Sequence, residues 1–153
     1  MQREQTISGC PTSDQFTAFY HPRAPICHGY PVPGDLYNLA ATRKMLIIDV
    51  REAEELSAGS IPGAIGIPRG LIEMAADTAF RGHHRVLCTA HSKTVCCVCD
   101  CPSAGRSSLA AWTLQNMQFQ DVCFLKGGVP LWVADGYPLE PLLNPAYSVM
   151  RKS

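Results

Sequence analysis

Short runs of apolar residues recur along the chain and are separated by polar or glycine-rich segments. One run covers residues 45–50 and another covers residues 95–99, and neither shows the strict alternation of a half-buried strand. Continuous apolar runs of this length are typical of strands covered on both faces of a parallel sheet. The pattern therefore predicts buried strands at these positions, with further strands at residues 64–67 and 122–125.

Helical patterns lie between the predicted strands. Residues 106–118 have helical spacing, and the apolar face that this spacing predicts consists of Leu109, Ala110, Thr113, Leu114 and Met117. Shorter segments that favour helices are residues 33–41, 52–58, 70–76 and 128–134. Strands that alternate with helices predict an α/β fold, in which a parallel sheet is covered by helices on both sides.

In such a fold, ligands bind at the carboxyl ends of the strands. Asp49 ends one predicted strand and Cys101 follows another, so we expect both at the same edge of the sheet.

Three segments lack a clear period. Residues 1–29 contain scattered prolines and glycines and are expected to form an irregular N-terminal arm. Residues 78–94 are expected to form a loop with a helical turn that borders the site, and this segment contains His83, His84, Cys88 and His91. The C-terminal tail, residues 141–153, is expected to run along the surface without a helix because of its prolines.

The length, the charge balance and the N-terminal sequence limit the possible classes of function. A length of 153 residues suits one domain with a sizeable core. The 13 basic residues balance 13 acidic residues, so no overall field attracts nucleic acid or an anionic membrane. The N-terminal residues are polar and contain no signal-peptide core, which leads us to expect a cytoplasmic protein with its 8 cysteines mostly reduced.

Cys101 is the leading candidate nucleophile. It lies where the strand at residues 95–99 passes into the helix after residue 106, and a tight loop there can direct backbone N–H groups at one sulfur. The positive end of the following helix also favours the thiolate over the thiol.

Several motifs occur together and in one order: MLIIDVRE at residues 45–52, AGSIPGAI at 58–65, CPSAGR at 101–106 and LKGGVPLW at 125–132. With these motifs, residues 30–140 resemble a single-domain sulfurtransferase of the rhodanese-like family. The resemblance implies a three-layer α/β/α fold, with a parallel sheet of about five strands flanked by helices.

The resemblance also implies roles for particular residues. Cys101 would carry sulfur as a persulfide, in an active-site loop that consists of Pro102, Ser103, Ala104, Gly105 and Arg106. Because Pro102 has no N–H, residues 103–106 would supply four backbone donors. Asp49 and Arg51 would support the loop, with Asp49 bonded to a loop N–H or to Arg106. No cofactor or metal would be needed.

The implied partners are a small-molecule sulfur donor, either thiosulfate or a persulfide, and a cyanide or thiol acceptor or a sulfur-relay protein. Arg106 is the only cation in the loop, which favours a persulfide donor over thiosulfate. Neither nucleic acid nor a membrane is expected as a partner.

Other classes of function remain open at this stage. Related phosphatases have five residues between cysteine and arginine, whereas four separate Cys101 from Arg106. The spacing Cys88-x-x-His91 would suit part of a metal site. Cys99 and Cys101 could form a redox-regulatory pair, and some rhodanese-like domains serve as interaction modules without catalysis.

Overall fold

The computed structural model describes residues 31–42 and 45–149. In chain order, its helices and strands are α1 (Pro33–Ala41), β1 (Met45–Asp49), α2 (Ala53–Leu56), β2 (Ile65–Gly66), α3 (Ile72–Ala76), β3 (Thr94–Val98), α4 (Gly105–Asn116), β4 (Asp121–Phe124) and α5 (Gly128–Ala134). Each helix and strand predicted from the sequence is present, with bounds that differ by a few residues. The arm expected at residues 1–29 lies outside the described residues, as do residues 150–153 of the tail.

The strands form one parallel sheet in the order β2-β1-β3-β4. At its centre, Ile48 of β1 pairs with Ile65 on one side and Cys97 on the other. The part of the chain that the structure describes contains four strands, against about five expected. The segment before β2 contacts the end of the predicted domain through a single antiparallel bridge between Ser60 and Glu140, which is too short to form a strand.

Side chains on the two faces of the sheet enter separate hydrophobic clusters. From β3 and the residue that follows it, Val95, Cys97 and Cys99 pack with α3 and α4, whereas Cys96 and Val98 pack with α1 and α5. This alternation follows from the two-residue period of a strand and accounts for the unbroken apolar run. The three-layer α/β/α architecture expected from the sequence is therefore confirmed.

Helix α4 turns most of the predicted face to the sheet, with Ala110, Thr113 and Leu114 buried, but Leu109 is an exception. Leu109 was expected to be buried but is 48% exposed, and the neighbouring Trp112 is 49% exposed. The buried residues of α4 include Ser107, Ala110, Ala111 and Leu114. Ser107 and Ala111 lie outside the predicted face, and because both side chains are small or polar, hydrophobicity alone did not indicate their burial.

The less regular segments have the secondary structure expected for them. One 3-10 turn, Leu87–Thr89, occurs within residues 78–94, and a second, Arg69–Leu71, precedes α3. The described part of the tail contains no helix. It runs beside β2, where the Tyr147 N–H donates to the Gly66 carbonyl at 2.8 Å. Within the described ranges, no helix is both long and apolar enough to cross a membrane.

Gly128 holds the start of α5 against the chain that leaves β3. It has a φ of 61°, a conformation in which a side chain is strained. A Cβ at this position would collide with the carbonyl oxygen of Cys99 and lie 3.1 Å from that of Cys101. The Cys99 carbonyl also accepts the Val129 N–H at 2.9 Å. Because Gly128 has no side chain, the start of α5 can pack directly against the backbone next to Cys101.

We expect Gly128→Ala to lower the free energy of unfolding by about 1–3 kcal/mol, because the new methyl group meets backbone atoms that cannot rotate away. Gly70→Ala is the matched control, since a Cβ there has no neighbour within 4 Å. Urea denaturation of the two variants and the parent chain measures the difference. Equal midpoints for both variants would contradict the proposed role of Gly128.

Candidate active site

The connection from β3 to α4 places a thiol at the carboxyl edge of the sheet. The carbonyl of Val98, at the end of β3, accepts the Val50 N–H at 2.9 Å, and α4 begins at Gly105. Between them, the carbonyl of Cys101 accepts the Ala104 N–H at 2.8 Å. A tight turn therefore follows the thiol at once, as the sequence predicted.

Cys101 differs from the other described cysteines in its access to solvent. All six are free thiols, and only Cys101 is partly exposed; the buried ones are Cys88, Cys96, Cys97, Cys99 and Cys123. A nucleophile needs access to its substrate, so exposure selects Cys101 among the described thiols.

The turn after Cys101 depends on an alanine in the left-handed region. Ala104 has φ 55° and ψ 28° and is 3% exposed. Its N–H is used within the turn, so one of the four backbone donors predicted for residues 103–106 is already bonded. The N–H groups of Ser103, Gly105 and Arg106 are not used by this turn, which reduces the expected cradle from four donors to three.

Arg106 is held by a carboxylate from another part of the chain. Its two terminal nitrogens donate to the two oxygens of Glu55 at 2.7 and 2.8 Å. One of these oxygens also accepts the Glu52 N–H at 2.8 Å, which caps the start of α2. Glu55 therefore binds Arg106 and stabilises its own helix at the same time.

The charges of this pair reinforce each other. The Arg106 guanidinium lowers the pKa of Glu55 to about 2 from 4.5. In return, the Glu55 carboxylate, and after it the Cys101 sulfur, raises the pKa of Arg106. The guanidinium thus remains charged and faces both groups, so it can stabilise negative charge on Cys101.

Asp49 and Arg51 form a fully buried ion pair at the end of β1. Arg51 donates to the two Asp49 oxygens at 2.8–3.1 Å, and the Ser60 hydroxyl donates to Asp49 Oδ2 at 2.5 Å. Burial opposes the charge on Arg51, but the hydrogen bonds and charge of Asp49 outweigh it, so the pKa of Arg51 is raised.

The prediction that Asp49 contacts the loop or Arg106 is wrong, because Arg51 and Ser60 occupy its oxygens. Support for the loop instead passes through α2. Arg51 donates to the carbonyls of Glu55 at 3.4 Å and of Gly59 at 2.8 Å. It thereby fixes the helix whose Glu55 side chain holds Arg106.

Glu55 was missed as a site residue. The sequence contained one signal for it, the Glu52-x-x-Glu55 spacing of a helix start, but that signal concerns α2 alone. Glu55 and Arg106 are 51 positions apart, so only the fold brings them together.

The other candidate groups do not form a metal site. No cluster of three or more histidine, cysteine or acidic side chains suited to a metal occurs in residues 31–42 and 45–149. Cys88 is buried and its thiol contacts the Arg85 carbonyl, whereas the His91 ring stacks on Phe119 at 4.1 Å. The spacing Cys88-x-x-His91 therefore has a packing explanation.

Two cavities among the described residues lie away from the Cys101 thiol. One of about 610 Å³ is lined by residues of α1, β1 and the tail, including Tyr37, Met45 and Leu143. Another of about 380 Å³ lies beside β2 and includes His83 and His84. Neither contains a residue of the 101–106 loop, so the chemistry of the loop, and not the depth of a pocket, identifies the candidate site.

We expect Arg51→Met to lower the free energy of unfolding by about 3–5 kcal/mol, because it leaves the buried Asp49 carboxylate without its partner. Arg81→Met is the control, since Arg81 is exposed. Adding Asp49→Asn to Arg51→Met should recover part of the loss by removing the unpaired charge. Chemical denaturation measures all three, and a loss no larger than that of Arg81→Met would contradict the role of the pair.

The pair of Glu55 and Arg106 should make stability depend on pH in acid. Since the folded-state pKa of Glu55 is about 2 against 4.5, its contribution is complete above about pH 4.5 and is lost as the pH falls towards 2. The difference in unfolding free energy between the parent chain and Glu55→Gln should therefore shrink over that interval. Denaturant titrations from pH 7 to pH 2 measure it.

Arg106→Met is the matched variant for this experiment, because without the guanidinium the pKa of Glu55 returns towards its ordinary value. Arg106→Met should therefore lack the same pH-dependent part of the unfolding free energy as Glu55→Gln. If the difference in unfolding free energy between the parent chain and either variant stayed constant from pH 7 to pH 2, the ion pair of Glu55 and Arg106 would not be the source of the pH dependence.

Comparison with known proteins agrees with this geometry. A sulfurtransferase of Allochromatium vinosum is 28% identical over 101 residues, which cover 66% of this chain and 83% of that protein. A solved structure from Rhodopseudomonas palustris, described as a protein of unknown function and possible tyrosine phosphatase, has a TM-score of 0.67 at 25% identity and covers 84% of this chain and 90% of its own. A human single-domain sulfurtransferase has a TM-score of 0.60 at 21% identity, covering 69% of this chain and 95% of its own.

The sequence model of the rhodanese-like domain matches residues 32–135. This match contains the whole of the sheet and both of the segments that meet at the site, the loop with Cys101 and α2 with Glu55. The chain belongs to the rhodanese-like domain family.

Proposed function

We propose that this protein is a sulfurtransferase that carries sulfur as a persulfide on Cys101. One observation carries the proposal: the described thiol that is open to solvent lies in the loop just before α4, where it interacts with the Arg106 guanidinium. Membership of the rhodanese-like family and a relative named a sulfurtransferase support the same class of reaction.

The reaction would proceed in two displacements. The Cys101 thiolate attacks the outer sulfur of a donor, the donor's S–S bond breaks, and the leaving group departs with the electron pair. For thiosulfate this group is sulfite; for a persulfide it is a thiolate. An acceptor such as cyanide or a thiolate then attacks the terminal sulfur of the persulfide and restores the Cys101 thiolate.

The protein's contribution to these steps is electrostatic. Both the thiolate and the persulfide are anions, so they gain from donors already in position and need no general base. The N–H groups of Ser103, Gly105 and Arg106, together with the Arg106 side chain, are the groups that would stabilise them. No metal or cofactor takes part in this scheme.

A persulfide fits the site better than thiosulfate as the donor. Thiosulfate is a dianion, and Arg106, the cation that interacts with Cys101, already shares its charge with Glu55. Arg69, at the turn before α3, is likewise bonded to Glu73 and Thr113. A persulfide carries less charge and places less demand on these cations.

A phosphatase activity, suggested by the description of the Rhodopseudomonas palustris protein, is less well supported. Only four residues separate Cys101 from Arg106, and Ala104 donates its N–H within the turn, so few donors remain for a phosphate. The bidentate contact with Glu55 also uses the terminal nitrogens of Arg106.

The test is the intact mass of the chain after incubation with glutathione persulfide or with thiosulfate. We expect a gain of about 32 Da, one sulfur atom, that cyanide then removes. The gain should be larger with glutathione persulfide than with thiosulfate at equal concentration. Cys101→Ser should show no such gain.

Cys88→Ala serves as the matched control, because it also removes one thiol but lies at the Leu87–Thr89 turn. It should gain and release the sulfur like the parent chain. A cyanide-labile sulfur on Cys101→Ser, or none on the parent chain with either donor, would overturn the proposal.

A further inference from the structure

Beneath the loop, a second thiol and a hydroxyl form a buried chain of hydrogen bonds that the proposed reaction does not use. Cys99 and Ser107 are both 0% exposed. The Cys99 thiol donates to Ser107 Oγ at 3.4 Å, and the Ser107 hydroxyl donates to the Ala104 carbonyl at 3.1 Å. These hydrogen bonds thus connect Cys99, just after β3, through Ser107 in the first turn of α4 to Ala104, the left-handed residue of the loop.

We propose that Ser107, supported by Cys99, is a positioning residue for Cys101: it holds Ala104 in its left-handed conformation and so aims the Gly105 N–H at the sulfur. The proposal deepens the function proposed above and rests on it, since it assumes that an anionic sulfur at Cys101 is the working state.

The planarity of the peptide bond connects the hydroxyl to the reactive sulfur. The Ala104 carbonyl and the Gly105 N–H belong to one trans peptide unit, so they point in opposite directions and turn together. Ser107 fixes the carbonyl from the buried side. Gly105 must then direct its N–H to the other side, where Cys101 lies at the start of the same turn.

Ala104 needs such a contact because its conformation is unfavourable in isolation. In the left-handed region, the Cβ of an alanine approaches the following carbonyl oxygen, which a glycine avoids. Its N–H is held by the Cys101 carbonyl at 2.8 Å, and its own carbonyl also accepts the Ser108 N–H at 2.8 Å. Ser107 supplies the side-chain contact from beneath the loop.

Cys99 is suited to donate a hydrogen bond and unsuited to react. Burial raises its pKa, although the Ser107 side chain and the N–H groups of Cys101 and Ser107 oppose that effect. The thiol therefore remains protonated near neutral pH and keeps its S–H for Ser107. Since the thiolate is the attacking species in disulfide formation, this also argues against a regulatory disulfide between Cys99 and Cys101.

The test is the pH dependence of alkylation of Cys101 by iodoacetamide, which requires the thiolate but no sulfur donor. The site of modification is located by fragmenting the tryptic peptide of residues 94–106. The groups that face Cys101 are the Arg106 guanidinium and the Cys99 thiol, and both are retained in Ser107→Ala.

We expect Ser107→Ala to slow alkylation near neutral pH about three- to tenfold, the factor that corresponds to one buried hydrogen bond. The midpoint of its pH profile should move upward, and its rate at high pH should equal that of the parent chain. Cys97→Ala is the matched control, since Cys97 is as fully buried as Cys99 and Ser107 and packs in the same hydrophobic cluster as Cys99. It should leave the profile unchanged.

Two further variants separate positioning from a general loss of structure. Ala104→Gly removes the conformational strain at this position. In the Ala104→Gly background, Ser107→Ala should therefore slow alkylation by less than half the factor, on a logarithmic scale, that it does in the parent chain. Cys99→Ala should shift the profile in the same direction as Ser107→Ala. Cys99→Ser, which keeps a donor, should recover part of that shift.

A folded Ser107→Ala with the parent profile would overturn the proposal, and so would an effect equally large in the Ala104→Gly background. A profile shifted equally by Cys97→Ala would overturn it as well. Because alkylation needs no donor, these results are independent of the persulfide experiment. A parent chain that takes up no sulfur would refute the function and leave the measured role of Ser107 in thiolate formation intact.

Discussion

The buried guanidinium of Arg51 is the group on which the arrangement of the site depends. It bonds to the carboxylate of Asp49, at the end of β1, and to the carbonyls of Glu55, within α2, and of Gly59, three residues after α2. Such a pair contributes little net stability, because its attraction is largely offset by the loss of hydration. Its effect is directional: the bonds to the Glu55 and Gly59 carbonyls tie α2 to the end of β1, and in this orientation α2 presents Glu55 to the loop.

A succession of short contacts therefore extends from the core to the reactive edge of the sheet. Arg51 fixes α2, Glu55 fixes Arg106, and Arg106 faces the sulfur of Cys101. On the other side of the thiol, Gly128 allows α5 to touch the chain as it leaves β3. The Cys101 thiol is thus held between two supports from different parts of the chain, although it lies outside the two cavities described above.

Much of the fold could be predicted because it follows from local pattern. The strands of a parallel sheet are covered on both faces, so β1 and β3 appear as unbroken apolar runs, and the thiol at the end of β3 was visible from its position before a helix. The buried face of α4 was predicted less completely, since Leu109 looks like a core residue but is exposed, whereas the small Ala111 is buried. The partner of Arg106 was hidden for another reason. Asp49 and Glu55 are both acidic, and only the three-dimensional contacts show that Asp49 is already occupied.

The burial of the cysteines has a consequence for how the chain meets oxidants and electrophiles. A protein with this many thiols would ordinarily be regarded as vulnerable to peroxide or to metal ions. Here the sheet and its helices enclose each described thiol except Cys101. The fold thus separates chemically identical groups by access, and the described thiols that fill space in the core are kept from reagents that can reach the exposed one. Among the residues described, most cysteines therefore serve packing, and sensitivity to oxidants is concentrated at one partly exposed sulfur atom.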